Sequence, residues 1–319
     1  MVREAYHLSH PYHNTRNVNS LRLMSTITTI ILTYNEARHI ERCVRNVLQV
    51  SERVIVVDSF SSDDTCTLAR QAGAEVVQHE YVNQAQQFQW ALEHCEITSE
   101  WTMRIDADEY LTDELIAEIR NISTSLAAGV TGVNFTLRVK FLNRYLRHGY
   151  IKPVRLLRLW RTGCVYMEQR WMDERCVLTQ GEAVNFKGLL VDENLNGLTA
   201  WTQKHNNYSN REIVAELDKQ YHFFSASESE DLKGRNAQKG FYYRLPRFLR
   251  AFAYFFTRYF LFLGFLDGVA GLVWATLQAY WYRFLVDAKL YEMEKRLGKS
   301  PTKQEVVAYI ESNFGIQIK

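Results

Sequence analysis

Three polar clusters in the first half of the chain hold the residue types that do chemistry: Asn35-Glu36, Asp58-Ser59 and Asp106-Ala107-Asp108-Glu109. Each follows directly on an apolar run, and in an open α/β sheet ligands bind outside the carboxyl ends of the strands. No GxGxxG follows the first run, and no Walker-type glycine-lysine loop occurs anywhere, so backbone amides do not cradle a phosphate here. Carboxylates beside a diphosphate repel it unless a divalent cation lies between. Mg²⁺ or Mn²⁺ suits that position, since such ions are held by one or two carboxylates plus substrate phosphates. In an extended backbone Asp106 and Asp108 point the same way and Glu109 the other. Of the first two, one can hold a ribose or a metal-bound water while the other ligates the ion; Glu109 is a supporting residue. An isolated DxDE suits a solvated helix-capping loop equally well. The shared position of all three clusters at strand ends is what favours a ligand site.

The elements that must position these residues follow from periodicity. Thr28–Thr33 and Arg53–Val57 are near-continuous apolar strands, the pattern of a parallel sheet covered on both faces. Glu75–Gln78 and Trp101–Ile105 are further strands. Helices are expected over 37–48, 64–72 (closed by Gly73), 83–94 and 112–126. This alternation predicts βαβ units in an α/β, Rossmann-like, mostly parallel sheet flanked by helices. Beyond Gly129 the rhythm changes: a strand at 132–139, an alternating segment at 153–160, β or irregular structure at 177–190, and a polar helix from Thr199 to Phe224.

Composition narrows the class. Net charge is +2, which gives no field that would favour nucleic acid. The five cysteines are scattered, without CxxC or zinc spacing, and are expected to be reduced, small apolar residues. Residues 1–25 lack the apolar core of a signal peptide and are expected to be a disordered extension.

Thr33-Tyr34-Asn35-Glu36, then Val57-Asp58-Ser59 with Ser61, Asp63 and Thr65, then Asp106-Ala107-Asp108-Glu109, resemble in order the motif set of family 2 inverting glycosyltransferases, which have a GT-A fold. The resemblance covers about residues 26–225. It implies that Asp58 and the Tyr34–Glu36 loop contact the nucleotide base, that Asp106 lies against the ribose, and that Asp108 carries the metal on the diphosphate. Thr33 and Ser59 fall in the same donor-binding set. Gln86-Gln87-Phe88-Gln89-Trp90-Ala91-Leu92, Trp171-Met172-Asp173-Glu174, Lys204-His205-Asn206-Asn207-Tyr208-Ser209 and Gly264-Phe265-Leu266-Asp267-Gly268 look like the lipopolysaccharide-core β-1,4-glucosyltransferase branch. That resemblance implies a nucleotide-sugar donor, a UDP-sugar favoured. It also implies a hexose, and a lipid-linked glycan or lipopolysaccharide-core acceptor.

Inverting transfer needs a base for the acceptor hydroxyl. The acidic pair Asp173-Glu174 is the candidate, Asp173 favoured, although the family's common pattern spells its acid differently. Arg155 and Arg158 are candidates to stabilise the departing diphosphate. They would share a helix face but point oppositely on a strand. His205 is a candidate for the diphosphate or acceptor, or a structural histidine.

The chain divides into a GT-A catalytic domain at 26–225, a polar linker at 226–243 and C-terminal helices at 244–319. In the last region Arg244, Arg247, Arg250 and Arg258 lie among Phe, Tyr and Leu, the pattern of helices on an anionic membrane face. Asp267 and the glycines interrupt any simple span, so peripheral or re-entrant helices on the cytoplasmic face of a bacterial inner membrane are expected. Two other classes compete: a sugar nucleotidyltransferase, which the missing glycine-rich basic loop disfavours, and a non-catalytic membrane scaffold, which the intact acidic clusters disfavour.

Overall fold

The computed structural model describes residues 26–122, 126–127, 129–149, 154–168, 175–223, 242, 244–298 and 300–318. The expected extension at 1–25, the linker at 226–243 apart from Tyr242, and the acidic pair Asp173-Glu174 lie outside the described residues.

Four parallel strands form the first half of the sheet: β1 (Ile27–Thr33), β2 (Arg53–Asp58), β3 (Glu75–Gln78) and β4 (Trp101–Asp106), in spatial order β3-β2-β1-β4. Successive side chains of β1 and β2 enter two different cores, which is why these runs are apolar throughout. Ile27, Ile31, Val54 and Val56 pack under α1 (Ile40–Val47), α2 (Thr65–Ala72) and α4 (Asp113–Arg120). Ile30, Ile55 and Val57 pack on the other face against Ala85, Phe88 and Ala91 of α3 (Gln84–His94). Helix α2 stops at Gly73, whose φ of +105° a side chain would strain. Helix α4 is shorter than its apolar pattern suggested and ends at Arg120.

The chain winds outward from β1 to β3 and then returns to place β4 on the other flank of β1. The carboxyl ends of β1 and β4 therefore open on a topological switch point, where an α/β sheet leaves a crevice. A short strand that periodicity did not reveal, β5 (Glu109–Leu111), follows the acidic segment. The sheet continues through β8 (Val154–Arg161), β6 (Val130–Phe141) and β11 (Glu182–Asp192) to β5. β7 (Arg144–Tyr145) pairs back on β6, and β9 (Val165–Met167) pairs with β10 (Cys176–Leu178). Strand β8 is antiparallel to β4 and β6, and β5 is antiparallel to β11. The other six strands along the path run one way, so the fold is the mostly parallel, helix-flanked GT-A-like arrangement that the motifs led one to expect.

Four long helices follow. Helix α5 (Gly197–Tyr221) shares a core with α7 (Gly264–Leu297) and α8 (Lys303–Phe314), through Ile213, Val214 and Leu217 against Val286, Leu290, Val306 and Ile310. A helix expected to belong to the catalytic domain is thus packed with the C-terminal region. Helix α6 (Leu249–Leu261) meets α7 at a 70° bend. Gly271 makes the bend possible: a Cβ there would lie 2.3 Å from the Gly264 carbonyl oxygen.

The four arginines of this region divide: Arg244 and Arg247 are exposed, Arg258 is half-buried and Arg250 is buried. Arg250 is buried and binds the carboxylate of Asp287, which also accepts the Phe248 N–H at 2.8 Å. Arg247 pairs with Glu294 at 2.7 Å, and the Arg258 Nε donates to the Gly149 carbonyl at 2.7 Å. A guanidinium surrounded by aromatic side chains costs less when a carboxylate or carbonyl meets it, and Arg250 and Arg258 turn inward to such partners, whereas Arg247 keeps its ion pair at the surface. Apolar side chains face outward as well: Leu249, Phe252, Phe256 and Phe260, spaced along one face of α6, are each 45–55% exposed. Among the described residues no single helix is long and apolar enough to cross a membrane; by length and composition the bent pair is.

Candidate active site

The loop after β1 is held by side chains from the loop after β2. The Asn35 N–H donates to Ser61 Oγ at 2.8 Å, the Glu36 N–H to Thr65 Oγ1 at 2.8 Å, and the Ala37 N–H to Asp63 at 3.2 Å. Asn35 returns the contact by accepting the Ser62 N–H at 2.8 Å, its own backbone left-handed at φ +55°. Ser61, Asp63 and Thr65 thus shape the turn, Thr65 from a buried position and Asp63 from an exposed one. Tyr34 is left 60% exposed, and across the same strand ends Phe60 is 59% exposed with φ +58°.

Asp58 is fully buried. It accepts from Thr33 Oγ1 at 3.1 Å, from the Ser61 N–H and hydroxyl, and from Gln78 Nε2 at 3.1 Å. Burial acts to raise its pKa, but the Ser61 and Gln78 hydrogen bonds outweigh it and hold the carboxyl below its usual value. Four donors use the acceptor sites of this carboxylate, so a further donor must displace one of them. Ser59 is half-buried and accepts from Gln87 at 3.2 Å; Gln87 is buried, while Gln86 is exposed.

Asp106 ends β4 opposite Leu32 of β1. Arg158 of β8 donates to Asp106 at 2.9 Å and to Glu109 at 2.6 Å, while Glu109 accepts the Asp106 backbone N–H at 2.9 Å. Burial would raise the Asp106 pKa, yet Arg158 and Arg104 drive it well below the usual carboxylate range. Arg158 is shared between Asp106 and Glu109, and Arg104 stands 3.5 Å from Asp106. Burial, with the Asp106 charge added, pushes Glu109 well up. Arg155 and Arg158 both lie on strand β8 rather than on a helix, and a bulge at Arg158 interrupts its alternation; Arg158 is buried in the site and Arg155 is exposed.

Asp108 occupies the centre. Its backbone carbonyl accepts from Arg42 at 3.0 Å and from the Glu193 N–H at 3.0 Å, which leaves the carboxylate projecting toward Asn194 at 3.3 Å and Lys204 Nζ at 3.9 Å. Strand β11 delivers Asp192 beside it, paired in register with Glu109. Burial and the charges of Asp108 and Asp106 push the Asp192 carboxyl up to about 7. Lys204, from the first turns of α5, is the counter-cation. Burial would lower its pKa, but Asp108, Tyr208, Glu36 and Asp192 together raise it.

Sequence reasoning missed four of these groups. Asp192 carries no local motif, and Lys204 opens a motif block in which only His205 was given a role; the β11 register and the α5 packing bring them in. Arg42 of α1 was given no role from sequence; it clamps Asp108 to Glu193 with a 2.7 Å bond to the Glu193 carboxylate. His39 is fully buried; its Nε2 accepts the Leu195 N–H at 2.8 Å, so Nδ1 carries the proton given to Glu36 at 2.6 Å. His205 stacks on Trp201 at 3.5 Å and donates to the Trp201 carbonyl, a structural placement.

The carboxylate set fits a divalent cation. Asp108 and Asp192 converge, repel each other and offer hard oxygen ligands. Among the described residues no group of three or more His, Cys, Asp or Glu side chains makes a complete cage. Mg²⁺ or Mn²⁺ bound here would complete its shell with phosphate oxygens and water.

Residues 28–190, that is 163 of the 319, match the profile of Glycosyl transferase family 2. An uncharacterized glycosyltransferase of Rickettsia prowazekii is 39% identical over 102 residues, 32% of this chain and 34% of that protein. The glycosyltransferase SunS of Bacillus subtilis is 32% identical over 105 residues, 32% of this chain and 24% of that protein. The matched stretch thus spans about a third or less of the length of these relatives. Among solved structures, glucosyl-3-phosphoglycerate synthase from Mycobacterium tuberculosis, in complex with Mn²⁺, UDP and glucosyl-3-phosphoglycerate, aligns with 36% of this chain and 44% of its own at 22% identity and a TM-score of 0.29.

Proposed function

Because the chain belongs to glycosyl transferase family 2, we propose that it is an inverting, metal-assisted hexosyltransferase using a nucleotide-sugar donor, a UDP-sugar favoured. Its acceptor is a lipid-linked glycan or a lipopolysaccharide-core or other surface polysaccharide, met at the cytoplasmic face of a bacterial inner membrane. The observation that carries this reading is the convergence of Asp106, Asp108, Asp192 and Lys204 on the crevice between β1 and β4.

In this reading Thr33, Tyr34, Asn35 and Glu36 form one wall of the base pocket, and Asp58 and Ser59 the other. Asp58 faces the base once Gln78 yields its place. Asp106, charged and one-third exposed, accepts from the ribose while Arg158 holds its other side. Asp108, with Asp192 in reach, holds the cation, which supplies positive charge against the diphosphate. The acceptor hydroxyl attacks the anomeric carbon and passes its proton to Asp173 or Glu174. The bond from that carbon to the diphosphate oxygen breaks, and the diphosphate departs with the electron pair. Lys204 meets the negative charge that develops there.

The test is transfer or hydrolysis across a panel of nucleotide sugars with and without Mg²⁺ or Mn²⁺. One donor should turn over with metal, and Asp108→Ala should lower that rate by about 10²–10³-fold while the circular-dichroism spectrum is unchanged. Unaltered turnover in Asp108→Ala would remove this residue from the chemistry.

A further inference from the structure

The hairpin that joins β6 to β7 turns on Leu142 and Asn143, both with left-handed backbones, at φ +48° and +61°. Such two-residue turns favour Asn or Gly, and a leucine there is strained. Packing does not repay the strain, because Leu142 is 52% exposed and Tyr145 beside it 37% exposed. The tip is bound to the bend between α6 and α7. Asp267 accepts the backbone N–H groups of Arg147 and His148 at 2.9 Å each, and the Gly149 N–H donates to the Phe262 carbonyl at 2.8 Å. Arg144 donates to the Leu266 carbonyl at 3.3 Å. At that bend Leu261 is 63% and Val269 76% exposed. Hydrogen bonds thus tie the hairpin to the bend, and both expose apolar side chains.

Charge identifies the occupant. Residues 129–149 contain no Asp or Glu, and residues 244–286 contain one, Asp267, which is buried under the hairpin. Arg144 and Arg147 are exposed beside Leu142. A face between two copies of the chain would set these cations against each other; an anionic bilayer accepts both the cations and the apolar tip.

We propose that the β6–β7 hairpin tip is a second membrane-contacting element, which docks with the α6–α7 bend on an anionic lipid surface. Just behind the tip, Tyr145 meets Tyr110 at 3.2 Å, one residue from Glu109, so docking sets the height and tilt of the acidic crevice above the lipid. This rests on the membrane-bound acceptor of the proposed function.

The test is flotation of the full chain with vesicles of phosphatidylcholine, alone or mixed with phosphatidylglycerol. Wild type should float with the anionic mixture. Leu142→Asn keeps a residue suited to the left-handed turn and removes the apolar side chain. It should lower partition by about 10-fold while the melting temperature holds or rises. Arg147→Glu should remove the salt-dependent part. Partition of Leu142→Asn equal to wild type overturns the proposal. So does a wild type that ignores both vesicles but forms a dimer that Leu142→Asn dissociates. Binding of UDP measured in parallel keeps the donor site separate: a chain that binds UDP and ignores vesicles loses its membrane partner, not its donor.

Discussion

At the scale of single residues, the site is organised by too many carboxylates for the cations that meet them. Arg158 serves Asp106 and Glu109 together, and Lys204 stands alone against Asp108, Asp192 and Glu36. In the proposed function, Lys204 would bind a phosphate of the donor, and Asp108 would hold the cation. Lys204→Met is therefore expected to weaken UDP binding, measured by calorimetry, by about 10-fold or more, from the roughly 1.5–3 kcal/mol of a hydrogen bond to a charged group. Uridine binding should be unchanged and Lys204→Arg should retain most of the affinity. Equal losses for uridine and UDP would place Lys204 in shaping the pocket instead. The motif residues were legible because they sit where strands end. Asp192 and Lys204 were not, because a lone Asp after an apolar run and a Lys on a polar helix have no pattern that separates them from surface charges.

At the scale of elements, the joint between α6 and α7 depends on a buried ion pair. Arg250 and Asp287 are each under 4% exposed, and Asp287 also ties down the Phe248 N–H at the start of α6. Asp287→Asn removes the carboxylate charge that meets this buried guanidinium most closely; Glu216 lies at 3.9 Å. Losing one member of a buried pair costs about 3–5 kcal/mol, and the urea midpoint should fall accordingly. The strands of the first half could be read from the sequence because apolar runs of that length, separated by capped helices, have one solution. The pairing of β11 between β6 and β5 could not be, since register there depends on contacts between segments far apart in the chain.

At the scale of the molecule, α5 binds the halves together: its first turns carry Lys204 into the crevice and its last turns pack with α7 and α8. His205 lies in that seam, stacked on Trp201 and edge-on to Tyr282 of α7. Burial, first, and the neighbouring Lys204 charge lower its pKa from 6.5 to about 4. Between those values the unfolded chain binds the proton and the folded one does not, so stability falls as pH drops from 6.5 toward 4. Urea midpoints followed across that window should decline more steeply in wild type than in His205→Gln. Parallel slopes would show that the seam does not hold the ring neutral.

The sequence by itself determined the parallel strands of the first half of the sheet and the polar motifs at their ends, because these rest on local periodicity and on residue type. The tertiary structure decided which charges are site and which are scaffold. It turned Arg250 and Arg258 inward, separated Arg158 from Arg155, and brought Asp192 and Lys204 to Asp108. A charge takes its role from what surrounds it once the chain is packed, and only long-range packing sets that surrounding.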